Sequence, residues 1–265
     1  MKRKLFILLW VVLAVGVLAL LFVVVTKHNS TLCSKVEINI DYSNGECFIS
    51  VEDVNALISK TAGDVLKMSI SEVNVLKIEQ NIDANPYVSN SEVFLGVDGI
   101  LKINIKQRKP ICRVVNEKNM SFYIDADGKL MPVNSQYTAR VVVANGKIPE
   151  CYSGATNLNI TDSLAIDTML NKPTLQKIYL IARYIDSDEF WKSHIEQIFV
   201  NKYNDIELIP KIGDHIILVG NDLNIKEKLE NLKIFYIKIL NKVGWDKYKL
   251  INIKFKNQVV CSKTY

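Results

Sequence analysis

Along the first quarter of the chain the pattern of apolar and polar positions changes character three times. From Leu5 to Val25 every residue is apolar, mostly Leu, Val, Ile, Ala and Phe, with one Gly and one Trp and no charge. As a helix rising about 1.5 Å per residue, such a run reaches about 30 Å, the thickness of a bilayer's hydrocarbon core. A transmembrane helix is therefore expected over residues 5–25. Beyond a polar stretch, Val36, Ile38 and Ile40 alternate with polar residues as in a half-buried strand, and Asn44-Gly45 marks a turn. Ser50 followed by Asp53 has the form of a helix cap, with Val51, Val54, Leu57 and Ile58 on one helical face. Ser71 is the expected cap of a second helix carrying Val75, Ile78 and Ile82, which must end before Asn85-Pro86. Val88 and Val93 to Leu95 then read as a strand, Asp98-Gly99 as a hairpin turn, and Leu101, Ile103 and Ile105 as a strand alternating with Lys102, Asn104 and Lys106.

The second half mixes periods. Asp127-Gly128 supplies tight-turn chemistry and Arg140 to Val143 reads as a strand. Leu175, Ile178, Ile181 and Ile185 form a helical stripe, Ile195 to Val200 a strand, and Ile206–Pro210 with Gly213–Gly220 a hairpin. A long helix is expected from Asn224, with Glu227 completing a capping box, with Leu229, Leu232, Tyr236, Ile239 and Val243 on its inner side and Gly244 at its end. A final strand follows over Leu250 to Val260, in which Ile251-Asn252-Ile253-Lys254-Phe255 alternates strictly and Lys256-Asn257-Gln258 interrupts the pattern.

Charge orients the anchor. Lys2, Arg3 and Lys4 precede the apolar run, so residues 1–4 belong in the cytoplasm and the bulk of the chain on the far side of the membrane. A cleaved signal peptide fits less well, because Val24, Val25, Thr26 and Lys27 offer no small-x-small site. A lipoprotein reading fails on Leu32, which precedes Cys33 where a small residue is needed. The formal net charge of +5 falls to about +2 without the three N-terminal cations, too little for a nucleic-acid-binding surface. The exported part, about 235 residues, is large enough for two domains. Its five cysteines show no CxxC and no metal-ligand spacing; Cys33 with Cys47 closing a short loop and simple free thiols both remain open.

The order strand, helix, helix, strand, strand directly outside a membrane anchor looks like a POTRA domain, and the details resemble the FtsQ/DivIB family of bacterial division proteins. Ile82-Asp83-Ala84-Asn85-Pro86-Tyr87-Val88 is similar to that family's helix end and its proline-hydrophobic-valine lead into a strand. Ile103-Asn104-Ile105-Lys106-Gln107-Arg108-Lys109-Pro110 resembles its closing strand and Arg-x-Pro exit. Phe122 to Gly128 resembles the Asp-x-x-Gly hairpin that opens its second domain. The resemblance implies an α+β protein: a transmembrane helix, a POTRA domain over residues 32–109, and a mostly antiparallel β domain with flanking helices over residues 110–265. It further implies a non-enzymatic role at the septum, with small single-pass proteins of the FtsB/FtsL type as partners and no cofactor or small-molecule substrate. In that family a partner adds a strand to the edge formed by the last strand of the second domain. The matching positions here are Ile251, Asn252, Ile253, Lys254, Phe255, Val259 and Val260, with Phe255 at an aromatic position of the family's motif. Lys263 departs from the family, standing where some members carry a further aromatic, with Tyr265 the nearest aromatic here.

Chemistry adds little. No Ser-x-x-Lys set, Gly-x-Ser-x-Gly, phosphate-binding Gly-Lys-Ser/Thr loop or His-Glu-x-x-His is present, so no catalytic or metal residues are assigned. Asp214-His215 reads as a hairpin residue beside a turn aspartate rather than a proton-transfer pair. Asp186, Asp188 and Glu189 read as helix-capping acids rather than a cation site. The lysines between Lys226 and Lys256 suit a solvated face, an acidic partner or anionic headgroups. An assembly factor for outer-membrane proteins is the alternative that POTRA modules raise, although such proteins carry several modules and a barrel; an exported hydrolase of unfamiliar fold is a third.

Overall fold

The computed structural model describes residues 10, 12–20, 32–43, 45–152, 173–220 and 224–263. Residues 10 and 12–20 are helical with exposed apolar side chains, while the rest of the expected span over 5–25 lies outside the described residues, as do Asn44, His28 and Tyr265. Among the described residues no helix is long and apolar enough to cross a membrane. The chain divides into two units, one ending at Gln107 and the other beginning at Arg108.

The first unit is a three-stranded sheet packed on two helices. β1 (Lys35–Asp41) pairs in parallel with β3 (Ile100–Gln107), which pairs antiparallel with β2 (Val88–Leu95), giving the order β1-β3-β2. Because side chains alternate across a strand, Leu101, Ile103 and Ile105 of β3 all reach the core, where they meet Val54 and Ile58 of α1 (Val51–Ala62) and Ile78 and Ile82 of α2 (Val75–Asp83). The capping box that starts α1 is present: Ser50 Oγ accepts from Asp53 N at 3.1 Å, and Asp53 Oδ2 accepts from Ser50 N at 3.0 Å. Asn74, not Ser71, caps α2, accepting from Lys77 N at 2.9 Å. Ser71 falls inside a turn closed by Glu72 N on Ser69 O, which delays the helix by three residues. Buried Gln107 holds the segment between β1 and α1: its Oε1 accepts from Phe48 N and Ile49 N, and its Nε2 donates to Asp41 O and Glu46 O.

The second unit is built on a nine-stranded sheet in the order β12-β11-β10-β9-β8-β7-β4-β5-β6. Its strands are β4 (Pro110–Val115), β5 (Ser121–Asp125), β6 (Leu130–Pro132), β7 (Val142–Gly146), β8 (Ile195–Val200), β9 (Ile206–Pro210), β10 (Ile216–Gly220), β11 (Tyr248–Asn252) and β12 (Val260–Lys263). Five of its eight pairings are antiparallel and three parallel. The expected Asp-x-x-Gly hairpin joins β5 to β6, with Gly128 at φ 79° in the left-handed region and its N–H on Asp125 O. Asp125 is buried against Arg108, 3.0 Å away. β7 begins two residues later than the expected Arg140, because its parallel register places Val142 to Ala144 beside Cys112 to Val114 of β4. It ends at Gly146, where any Cβ would collide with Val200 O of β8.

Helix α3 (Thr174–Ser187) buries Leu175, Ile178, Ile181 and Ile185 in one core with the sheet, and α4 (Glu189–His194) adds Trp191. Helix α5 (Ile225–Phe235) continues through a π-helical stretch, Tyr236–Leu240, and a last turn, Asn241–Val243. That stretch corrects two expectations. A π turn inserts one extra residue, so after Tyr236 the next buried position is Leu240 rather than Ile239, and Val243 also turns outward. The expected capping box is absent, since Asn224 adopts φ 55° and its side chain caps nothing.

Candidate docking edge

The outer end of the large sheet is assembled by a crossover. β10 and β11 are parallel, with Ile216 to Leu218 beside Leu250 to Asn252. Parallel neighbours cannot be joined by a tight turn, and the connection is α5 with its π turn. Four aromatic groups brace this crossover from behind. His215 Nε2 lies 2.6 Å from Tyr236 Oη, and the Tyr236 ring meets Trp191 at 5.6 Å and Trp245 at 5.2 Å between centroids. Burial pulls the His215 pKa below its ordinary 6.5, outweighing the upward pull of the Trp245 backbone, Asp214 and Asp246. A neutral imidazole wedged among rings is a packing element, and the Asp-His pair makes no exposed proton-transfer site.

The final strand expected over Leu250 to Val260 is two strands. β11 ends at Asn252, whose Oδ1 accepts from Lys254 N at 2.9 Å, and the chain turns through Asn257 at φ 57° to return antiparallel as β12. The polar interruption at Lys256-Asn257-Gln258 is this turn. Asn tolerates the left-handed conformation and its neighbours have no apolar face to bury. β12 is thus the outermost strand of the sheet: one side pairs with β11, and among the described residues no strand pairs with the other.

The sequence-assigned residues separate into two groups. Ile251 and Ile253 are buried and hold the hairpin to the core, with Ile253 N donating to Leu218 O at 2.9 Å. Half-buried Asn252 and Val259 flank the turn, and Asn252 pairs with Val260. Phe255 and Val260 are displayed, at 54% and 48% exposure. Lys254 is exposed but tied across the strands to Asp205 at 2.9 Å; its side chain runs over Gly220, where a Cβ would come within 2.7 Å of it. A hollow of about 200 Å³ opens beside Phe255, walled by Asn224 just before α5, by Lys228 and Asn231 of α5, and by Ile253 and Asn257. Lys228 is buried there, its Nζ donating to Val219 O at 3.0 Å. The assignment from sequence omitted Cys261, Ser262 and Lys263, which complete β12, and the α5 residues that wall the hollow. The short turn before Val259 was the available signal for β12.

The acidic cluster is structural. Asp188 caps α4, accepting from Phe190 N and Trp191 N, and also pairs with Lys233 at 2.9 Å. Asp186 bridges Lys109 and Lys192 at 2.8 and 2.7 Å; burial raises its pKa, and the two lysines more than reverse this. Among the described residues no group of His, Cys, Asp or Glu is placed to hold a metal ion. All the cysteines are free thiols; Cys33 is packed into the core of the first unit and Cys47 is exposed, so the loop-closing pair is not formed. Burial pushes the Cys112 thiol up to about 12, which leaves it inert.

Residues 109–262 match the family model described as FtsQ/DivIB, C-terminal related, and residues 31–106 match a POTRA-like domain. Among curated proteins the chain is similar to an alanine–tRNA ligase of Wigglesworthia glossinidia brevipalpis, 26% identical over 184 residues that make up 64% of this chain and 20% of that protein. The chain thus spans about a fifth of the length of that curated relative.

Proposed function

The chain belongs to the FtsQ/DivIB family, and on that premise we propose that it is a non-enzymatic cell division protein that bridges or recruits small single-pass proteins of the FtsB/FtsL type at the septum. In this reading the apolar run Leu5–Val25 anchors it in the cell inner membrane with the N-terminus cytoplasmic. A POTRA domain over residues 32–109, which aids recruitment, and a β domain over residues 110–265 lie outside. Confinement to one surface raises the effective concentration of partners that carry their own anchors.

The observation that supports the reading best is the open outer side of β12. A partner strand laid along it would gain main-chain hydrogen bonds, while side chains at alternate positions supply specificity. We assign the docking site to Ile251, Asn252, Ile253, Lys254, Phe255, Val259 and Val260, extended through Cys261 to Lys263. Ile251 and Ile253 set the position of the edge from the core, and Phe255 and Val260 meet the partner. The test is capture of the exported segments of co-encoded single-pass coiled-coil proteins by the full chain in detergent, with Phe255→Ala beside it. Weakened capture by a folded variant is the expected result, and unchanged affinity would remove Phe255 from the site.

A further inference from the structure

The first unit carries a second surface, at the end where the chain enters it. Four backbone contacts gather three segments there. Leu32 bridges Ser69, Cys33 N donates to Met68 O at 2.9 Å, Ser34 N donates to Gly99 O at 2.8 Å, and the turn closed by Gly99 N on Gly96 O holds Val97 at the tip of the β2–β3 hairpin. The 3-10 turn Val65–Lys67 leads into the Met68 contact. Each segment presents an apolar side chain to solvent: Leu32 is 57% exposed, Leu66 50% and Val97 84%. Parallel pairing of β1 with β3 puts the first residue of β1, Lys35, beside Ile100, so both strands begin at this same end.

We propose that this rim of Leu32, Leu66 and Val97 rests in the interfacial layer of the bilayer that carries the anchor, and so holds the first unit against the membrane. The proposal rests on the transmembrane reading of Leu5–Val25. Only six residues, Thr26 to Thr31, separate that run from Leu32, and even fully extended they place Leu32 within about 25 Å of its end. The end of the unit that the leash brings to the membrane is therefore the end with the exposed apolar rim, and apolar side chains gain by leaving water for the boundary of the acyl chains. The charges around the rim nearly cancel. Lys35 pairs with Glu37 at 2.9 Å, Lys67 with Asp64 at 2.7 Å, and Asp98 lies near Lys102 in sequence. The contact is thus made by apolar insertion and is independent of anionic lipid.

The test uses the full chain reconstituted in vesicles of phosphatidylcholine alone and of phosphatidylcholine mixed with phosphatidylglycerol. An environment-sensitive fluorescent amino acid replaces Val97 in one sample and Lys106, at the far end of β3, in another, and quenching by spin-labelled lipid is recorded. The expected result is quenching several-fold stronger at position 97 than at 106, equal in both lipids, and lost on adding Leu66→Asp. Because Leu66 and Val97 are exposed, these changes leave the core intact. Alkaline carbonate extraction of the same vesicles checks the anchor separately. A chain that resists extraction but shows equal quenching at the two positions overturns this proposal alone, whereas a chain that is extracted overturns the transmembrane reading with it.

Discussion

The two sides of the nine-stranded sheet end in opposite ways. β6 is a three-residue strand that buries Leu130 and Met131 and stops at Pro132, a residue with no N–H to offer a neighbouring strand. The chain beyond it turns back over β5, where Ala139 N donates to Tyr123 Oη. β12 carries no proline, exposes Val260, Ser262 and Lys263, and stands beside exposed Phe255 and the hollow against α5. Unpaired edges invite indiscriminate pairing, and a short, proline-ended, buried strand is one of the ways proteins close them. Of the two ends, one is closed by these devices, while at the other the described residues offer as guards the lysines at 254, 256 and 263. The contrast supports the proposal that a partner strand is accepted at β12.

Mutations at the two ends should separate stability from binding. Met131→Ala on the closed side removes a fully buried side chain and should cost about 2–5 kcal/mol in denaturant unfolding, with partner affinity of the folded fraction unchanged. Phe255→Ala on the open side should do the reverse: affinity measured by titration falls about 30-fold, or about 2 kcal/mol, while unfolding stability moves by less than about 0.5 kcal/mol. If both variants lost stability and binding together, the two ends would not be functionally distinct.

Acid should weaken the support behind the open end. The unfolded chain takes up a proton on His215 near its ordinary 6.5, whereas burial keeps the folded imidazole neutral to lower pH. Unfolding therefore binds a proton in that window. Stability of the second unit is unaffected by this group above about pH 6.5 and falls as the pH drops below it. In thermal melts, His215→Asn should flatten the slope just below pH 6.5, whatever its effect on the midpoint. The smallest effect belongs to Lys254→Ala. Its pair with Asp205 is partly solvated, so unfolding stability should change by less than about 1 kcal/mol.

Much of this architecture is legible along the chain because alternation and helical spacing are local. Leu101, Ile103 and Ile105 give the central strand of the first unit, and the stripe Leu175, Ile178, Ile181 and Ile185 gives α3. What is not legible depends on partners distant in sequence or on backbone geometry. Ser71 has the composition of a cap but is consumed in the Ser69–Glu72 turn. Ile239 has the right spacing for burial until the π turn after Phe235 advances the register and buries Leu240 instead. At the candidate site, Phe255 and Val260 can be picked out from the resemblance, yet Ile251 and Ile253 alternate with polar residues just as edge residues would, and only the place of β11 between β10 and β12, with Ile253 N bonded to Leu218 O, shows them to be core. The walls of the hollow come from α5, some 25 residues earlier in the chain, and no local pattern links the two segments.

The central claim is that β12, and not β6, accepts a partner strand. Amide hydrogen exchange of the full chain, with and without the exported segment of a co-encoded FtsB/FtsL-type protein, tests it most directly. Residues 259–263 should become protected on binding while residues 130–132 stay as they were. A partner that binds and leaves the amides of β12 exchanging at their free rate would contradict the account.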